Sequence, residues 1–320
     1  MVLDPRVRRR LKLRDLDTLL TVAEHGSMAK AAARLSVSQP TVSKSIADIE
    51  YALGVRLFDR TAQGVEPNQY GRTLLKWAVV LFDDVKQGVE EIEFLVDPSV
   101  GTLRIGASEP MLGGFLGAIV AHLHRKYPRI AFEISQPPSF EQQRRDLLER
   151  RCDLTLGRVI TSESEQDFAT EILFEEPGSV VAGPQSPLLR RRKLKLAELV
   201  DEPWTLPRPD SAVGSYLTEA FRIAGLPLPR NVVICGSIQM HQALLANGPF
   251  LAIFPQSLLR FGAKHLNVKV LPVALPGRPP PVGITTLKKR TLNPLTQRFI
   301  AWAREVAKPI HSRQAAERHD

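Results

Sequence analysis

Leu75, Ala78, Phe82, Val85, Val89, Ile92 and Val96 follow one another at intervals of three, four, three, four, three and four residues. Only a long α-helix keeps such a series on one side, and an apolar seam of this period over three heptads is the signature of a two-stranded coiled coil. The later seam positions are mostly β-branched. The other faces carry Asp83, Asp84, Lys86, Gln87, Glu90, Glu91 and Glu93, so the seam predicts pairing with a second copy rather than burial against the chain's own domain. Asn68 suits the helix N-cap, and Asp97-Pro98 ends it. The helix, over 68–97, thus separates a first segment, 11–67, from a last one, 101–308.

The first segment reads as helices. Leu13, Leu16, Leu19, Leu20 and Ala23 recur at helical spacing and Gly26 stops that helix. Ser27 caps a second helix through Ala31, Ala32 and Ala33, whose small side chains allow close approach. After the turn Ser36-Val37-Ser38, Ser38 caps a third helix with Pro40 in its first turn and Gly54 beyond its end. Val42, Ile46, Ile49 and Leu53 form its buried stripe, which leaves Gln39, Thr41, Ser43 and Lys44 facing elsewhere. Amide, hydroxyl and ammonium groups on the first turns of such a helix are what major-groove reading needs. Two short β runs, Leu57–Thr61 and Val65–Pro67, flank Ala62-Gln63-Gly64 and read as a wing. Arg56 and Arg60 stand beside it, placed for phosphate contacts, with Thr61 at the strand end.

The run Ala29 to Arg60, AKAAARLSVSQPTVSKSIADIEYALGVRLFDR, followed by Gly71, resembles the winged helix-turn-helix of LysR-type transcriptional regulators. Two positions depart from the common pattern: Ile49-Glu50 stands where Leu-Glu is usual, and Pro67-Asn68 where Leu-Thr is. The resemblance implies DNA contacts from Ser38, Gln39, Pro40, Thr41, Ser43, Lys44, Arg56, Arg60 and Thr61, on double-stranded operator DNA. It also implies that the linker helix pairs two heads in a homodimer, itself assembled as a dimer of dimers. Two heads call for a roughly two-fold symmetric operator.

The last segment alternates short β runs with helices, the α/β pattern. Thr102–Ala107, Ile130–Ile134 and Cys152–Gly157 with two intervening helices make a βαβαβ unit and a parallel sheet. Ligands of such sheets bind at the strands' carboxyl ends, where Ser108, Glu109, Pro137, Ser139, Gly157 and Arg158 stand. Ser108 opens a helix, a position that favours an anion, and Arg158 adds charge; a carboxylate or other anion is the expected effector. The run Gly248–Pro255 resembles the family's Gly-rich strand whose end, here Phe254 and Pro255, lines the effector cleft. Glu171–Val181 reads as one strand of a second half. The expected architecture is a mainly α winged helix-turn-helix head, a long dimerisation helix and a two-lobed α/β sensor like a periplasmic binding protein, with lobe I about 101–160 and 275–308 and lobe II about 161–274.

Other classes fall away on composition. With 43% hydrophobic and 24% charged residues the chain is globular rather than disordered. The net charge of +9 is not by itself a DNA signal, since residues 1–76 carry 13 Lys/Arg against 8 Asp/Glu, residues 77–98 carry 1 against 6, and the remaining 29 against 20 lie in the last segment. The basic run Arg190–Lys193 reads as solvated surface. Arg8–Arg10 is followed by no apolar core region, so no export signal is expected, and no apolar run is long enough for a membrane span; the expected location is the cytoplasm. Cys152 and Cys235 read as small buried hydrophobes. No metal-ligand spacing, cofactor motif or nucleophile motif stands out, and no cofactor is expected. The alternative reading is a cytoplasmic α/β small-molecule-binding protein or enzyme with an accessory DNA-binding head.

Overall fold

The structure, a computed structural model, describes residues 11–61, 64–159, 165–209 and 211–317. Ala62 and Gln63 of the wing and Arg8–Arg10 lie outside the described residues. The chain divides into two units, residues 1–90 and 91–320.

In the first unit α1 (Leu13–His25), α2 (Met28–Leu35) and α3 (Gln39–Leu53) pack around Leu19, Val22, Ala31, Val42, Ile46 and Ile49. Ser27 accepts from Lys30 N and Ser38 from Thr41 N, so both expected caps form; α1 and α3 end at left-handed Gly26 and Gly54. One buried polar link fixes α1 to α3: Ser45 Oγ donates to Asp15 Oδ1 at 2.9 Å. The wing is the antiparallel pair β1 (Phe58–Thr61) and β2 (Gly64–Pro67). Asn68 then caps α4 (Gln69–Val96), its Oδ1 accepting from Tyr70 N and Gly71 N. At Gly71 a Cβ would stand 2.2 Å from the Leu57 carbonyl oxygen, so only glycine lets α4 start this close to the wing.

The seam on α4 splits. Ala78 is buried in the head's own core, with Leu75 and Phe82 partly buried against it, so at Ala78 the seam meets the head and not a partner helix. The head's three short helices do not close their core alone, and the first turns of α4 complete it. Val85, Val89, Ile92 and Val96 stay exposed, joined by Trp77, Leu81 and Leu95.

The second unit holds two five-stranded sheets. In the first, β3 (Val100–Ala107) runs parallel to β4 (Arg129–Ser135) and to β5 (Leu154–Arg158). Between β3 and β4 the chain makes a single turn at Glu109–Met111 and a π-helical turn at Leu112–Leu116 before α5 (Gly117–Lys126). The kink falls at Gly114, where a Cβ would meet the Leu258 backbone at 2.9 Å. Helix α6 (Phe140–Leu148) connects β4 to β5. The return strands β6 (Phe168–Glu175) and β12 (Pro281–Leu287) complete the order β4-β3-β5-β12-β6, and α10 (Pro294–Glu317) covers this sheet. Its core is built on Leu103, Ile105, Phe115, Phe174 and Phe299.

The second sheet contains β7 (Gly178–Ala182), β8 (Trp204–Leu206), β9 (Val232–Ile234), β10 (Leu251–Pro255) and β11 (Lys269–Val270) in the order β11-β7-β10-β8-β9. Helices α7 (Ala212–Ile223), α8 (Ile238–Asn247) and α9 (Gln256–Leu266) belong to it, around Trp204, Phe221 and Ile253. Glu171–Val181 is therefore not one strand. Glu176-Pro177 interrupts it, and β6 pairs with β12 in the first sheet while β7 pairs with β10 in the second. Lobe I thus extends through residue 175 rather than closing near 160, because β6 finds its hydrogen-bond partners there.

Just before β5, the Asp153 carboxylate accepts from Arg104 N at 2.8 Å, Arg104 Nε at 3.4 Å, Arg104 Nη2 at 2.7 Å and Arg290 Nη2 at 2.9 Å. Burial works to raise its pKa, and the hydrogen bonds and charges of Arg104 and Arg290 reverse this, leaving it below the usual range. Its neighbour Cys152 is buried, and burial first, then the charges of Asp146 and Asp153, push the thiol up to about 12. It is the inert core residue the sequence predicts. Cys235 is only half-buried, and its Sγ accepts from Ser237 N at 3.2 Å.

Candidate nucleic-acid interface and effector crevice

The expected DNA-contacting residues gather on one element pair. On α3 the apolar stripe points inward, and Ser38, Gln39, Pro40, Thr41, Ser43 and Lys44 are all exposed. The helix start is satisfied from within: Ser38 Oγ lies 2.8 Å from Thr41 Oγ1 and also accepts from Thr41 N. Ser38 and Thr41 are thus partly engaged in capping, while Gln39, Ser43 and Lys44 project from a helix that needs nothing more from them. Arg56, Arg60 and Thr61 are exposed on the approach to the wing and on β1. Arg56 is fixed at its carbonyl, which accepts from Asn68 Nδ2 at 3.0 Å, and Leu57 N beside it donates to Glu50 Oε1 at 2.7 Å. A rigid backbone carrying exposed guanidinium groups is suited to phosphate contact.

The second constellation lies where the two sheets of the sensor meet. Ser108 follows β3, and its N–H donates to Leu156 O on β5. Gly157 is buried, and a Cβ there would sit 3.3 Å from Ser108 Oγ. Arg158 closes β5. Burial lowers its pKa to about 10, against the opposing charges of Glu176 and Tyr216. Glu109 Oε1 accepts from Ile238 N at 2.7 Å, and burial raises its carboxyl above the usual range despite that bond.

The other expected cleft residues have structural tasks. Pro137 is buried against Gly106, Ser139 caps α6 by accepting from Gln142 N at 3.1 Å, and Phe254 is a core residue with its ring edge-on to His241. Pro255 is buried at the N-cap of α9. The helix that Ser108 opens is a single turn before the kink, so the aligned-dipole argument for an anion at Ser108 does not hold there.

Sequence reasoning missed Glu176, Tyr216 and Ser257. Glu176 is fully buried at the crossover between sheets, its Oε1 accepting from Ser257 N at 3.0 Å. The signal was Glu176-Pro177-Gly178, a break in an otherwise β-like run.

A head built to present a polar helix, joined to a two-lobed α/β sensor, defines a one-component regulator: a DNA-reading module and a ligand-reading module on one chain. Residues 13–72 match the family described as "Bacterial regulatory helix-turn-helix protein, lysR family", and residues 97–308 match "LysR substrate binding domain". The HTH-type transcriptional regulator GbpR of Azospirillum brasilense is 30% identical over 314 residues, covering 96% of this chain and 90% of that protein. CysL of Bacillus subtilis (strain 168) is 25% identical over 80% of this chain and 84% of its own. Among solved structures, full-length CbnR complexed with its target DNA has a TM-score of 0.65 at 20% identity, covering 92% of this chain and 100% of that one. A full-length OxyR variant from Pseudomonas aeruginosa has a TM-score of 0.64 at 22% identity, covering 93% and 95%. The chain belongs to the LysR family of DNA-binding transcriptional regulators, with an N-terminal helix-turn-helix and an effector-binding domain. Among the described residues no helix is long and apolar enough to cross a membrane.

Proposed function

We propose that this regulator reads operator DNA through α3, with Gln39, Ser43 and Lys44 on base edges and Arg56, Arg60 and Thr61 on phosphates, and that a small-molecule effector in the inter-lobe crevice modulates that binding in the cytoplasm. The observation that carries the reading is the exposed polar face of α3 over a fully buried stripe of Val42, Ile46 and Ile49. Ser38, Pro40 and Thr41 shape the helix start and lie beside the DNA.

The exposed Trp77, Leu81, Val85, Val89, Ile92 and Val96 pair α4 with a second copy, since apolar surface of this extent on one helix gains most from a partner of the same pattern. The homodimer presents two heads, and a dimer of dimers is the assembly that the family suggests. In the crevice Ser108, Glu109 and Arg158 surround the effector, and the Arg158 guanidinium is the group that suits a carboxylate or similar anion.

The test of the reading is binding of the full-length protein to the DNA upstream of its own and the adjacent gene. A footprint with two-fold symmetry that survives excess scrambled DNA supports it. Equal affinity for operator and scrambled DNA overturns it.

A further inference from the structure

Glu109 leaves lobe I directly after Ser108, yet its carboxylate ends in lobe II. Its Oε1 accepts from Ile238 N, the first amide of α8, at 2.7 Å across 129 positions of sequence. Ser237 Oγ accepts from Met240 N of the same helix end at 3.3 Å. The first amides of a ten-residue helix have no intrahelical acceptor and favour a negative group, and the protein's own side chain supplies that group here.

The second oxygen tells against a settled structural contact. Glu109 Oε2 is buried and has no hydrogen-bond partner, and a buried carboxylate oxygen left unbonded is costly. The charge of Glu109 is offset by the Ile238 amide alone, and burial outweighs it. Glu176 makes the matching contact to Ser257 N at the start of α9 and its Oε2 likewise has no partner, but there the charge of Arg158 stands beside it. Of the two carboxylates that grip lobe II, Glu109 is the one with less to hold it.

We propose that Glu109 is a built-in carboxylate ligand of α8, a latch between the lobes occupying a site that accepts carboxylates. The role of that site in effector response rests on the crevice reading above; the latch itself does not. An effector carboxylate that takes the place of Glu109 at Ile238 N releases the latch.

The test uses full-length protein and sodium acetate as probe, against sodium chloride at equal ionic strength. In Glu109→Ala the start of α8 loses its acceptor, and hydrogen exchange over residues 236–242 quickens about tenfold, the loss of roughly one such bond. Acetate raises the melting temperature of Glu109→Ala and not that of wild type, because only the variant has the site open. Glu109→Gln keeps an oxygen for Ile238 N and shows neither effect. Should Glu109→Ala fail to fold, Glu109→Asp, one methylene too short to reach, gives the acetate response instead. Unchanged exchange over 236–242 in the variant lacking the carboxylate, or equal stabilisation of variant and wild type by acetate, overturns the latch. A wild-type protein that binds no anion while the acetate response holds would overturn the effector reading and leave the latch standing.

Discussion

The head and the sensor hold their polar groups in opposite ways. On α3 the helix start is satisfied by Ser38, and Gln39, Ser43 and Lys44 stand exposed with no structural task. Where the two sheets of the sensor meet, the carboxylates are partly spent on internal contacts, Glu109 Oε1 on Ile238 N and Glu176 Oε1 on Ser257 N, with Arg158 beside Glu176 and Tyr216, while Glu109 Oε2 stays unbonded. The first arrangement suits a surface that meets a large rigid partner without rearranging. The second suits a site whose occupant must displace an internal contact, so that binding changes the shape of the receiver.

The sharpest break of the comparison lies in the sensor's buried charges. Asp153 is gripped by Arg104 and Arg290 and is almost wholly buried. Asp153→Ala takes the Asp153 carboxylate away from the buried Arg290 guanidinium, and breaking a buried pair in this way costs roughly 3–5 kcal/mol. Urea denaturation should show loss of the sensor transition while the head's remains. The same carboxyl sets an acid limit. Its folded pKa lies below the unfolded value, so its stabilisation is complete above about pH 4, the ordinary Asp range, and is lost as pH falls through the folded value. A sensor that melts identically at pH 3 and pH 6 contradicts that sign.

Next in size is the linker. Val89→Asp puts a carboxylate in the exposed stripe of α4, where a paired helix would bury it unpartnered. Dimer dissociation should weaken the complex at least about tenfold, about 1.4 kcal/mol. Ala78→Asp, in the part of α4 that closes the head's own core, should instead unfold the head. Sedimentation and circular dichroism on the two variants separate the outcomes; an Ala78→Asp head that stays folded contradicts the split seam.

These contrasts explain what the sequence made legible. On α1 to α3 the caps, stops, stripe and exposed face depend on residues three or four apart, and the buried Ser45–Asp15 link lies beyond that period. The seam on α4 was legible as apolar and not as divided, since nothing local says that Ala78 meets the head while Val89 meets solvent. The crevice was least legible. Glu109 finds Ile238, and Glu176 finds Ser257, only after two sheets have formed, and no spacing in the chain encodes either distance. The crossover at Glu176-Pro177 lies between residues that are β-like on both sides, so local pattern does not separate β6 from β7.

Smaller effects belong to the reading surface. Gln39→Ala or Ser43→Ala should cost about 1–3 kcal/mol on the operator for each bidentate-quality base contact, and little on scrambled DNA. Fold and dimer should be untouched, because neither side chain supports the helix. Competition binding on both DNAs decides it, and equal losses remove the residue from base reading.

The smallest and most diagnostic change is at Arg60. The pairing of Arg60 with Val65 across the wing fixes its backbone on β1, and its side chain is exposed. A contact to phosphate releases condensed counterions whatever the base sequence, so Arg60→Ala should weaken operator and scrambled DNA alike. The slope of log affinity against log salt should flatten by about 0.9 for one lost phosphate contact. A base contact gives the opposite pattern, with specificity lost and slope kept. A wing arginine that touches no DNA moves neither quantity. One salt titration on two DNAs therefore decides whether the wing positions the head, reads sequence, or stands clear, and a loss confined to the operator would move Arg60 from the backbone-holding group to the base-reading one.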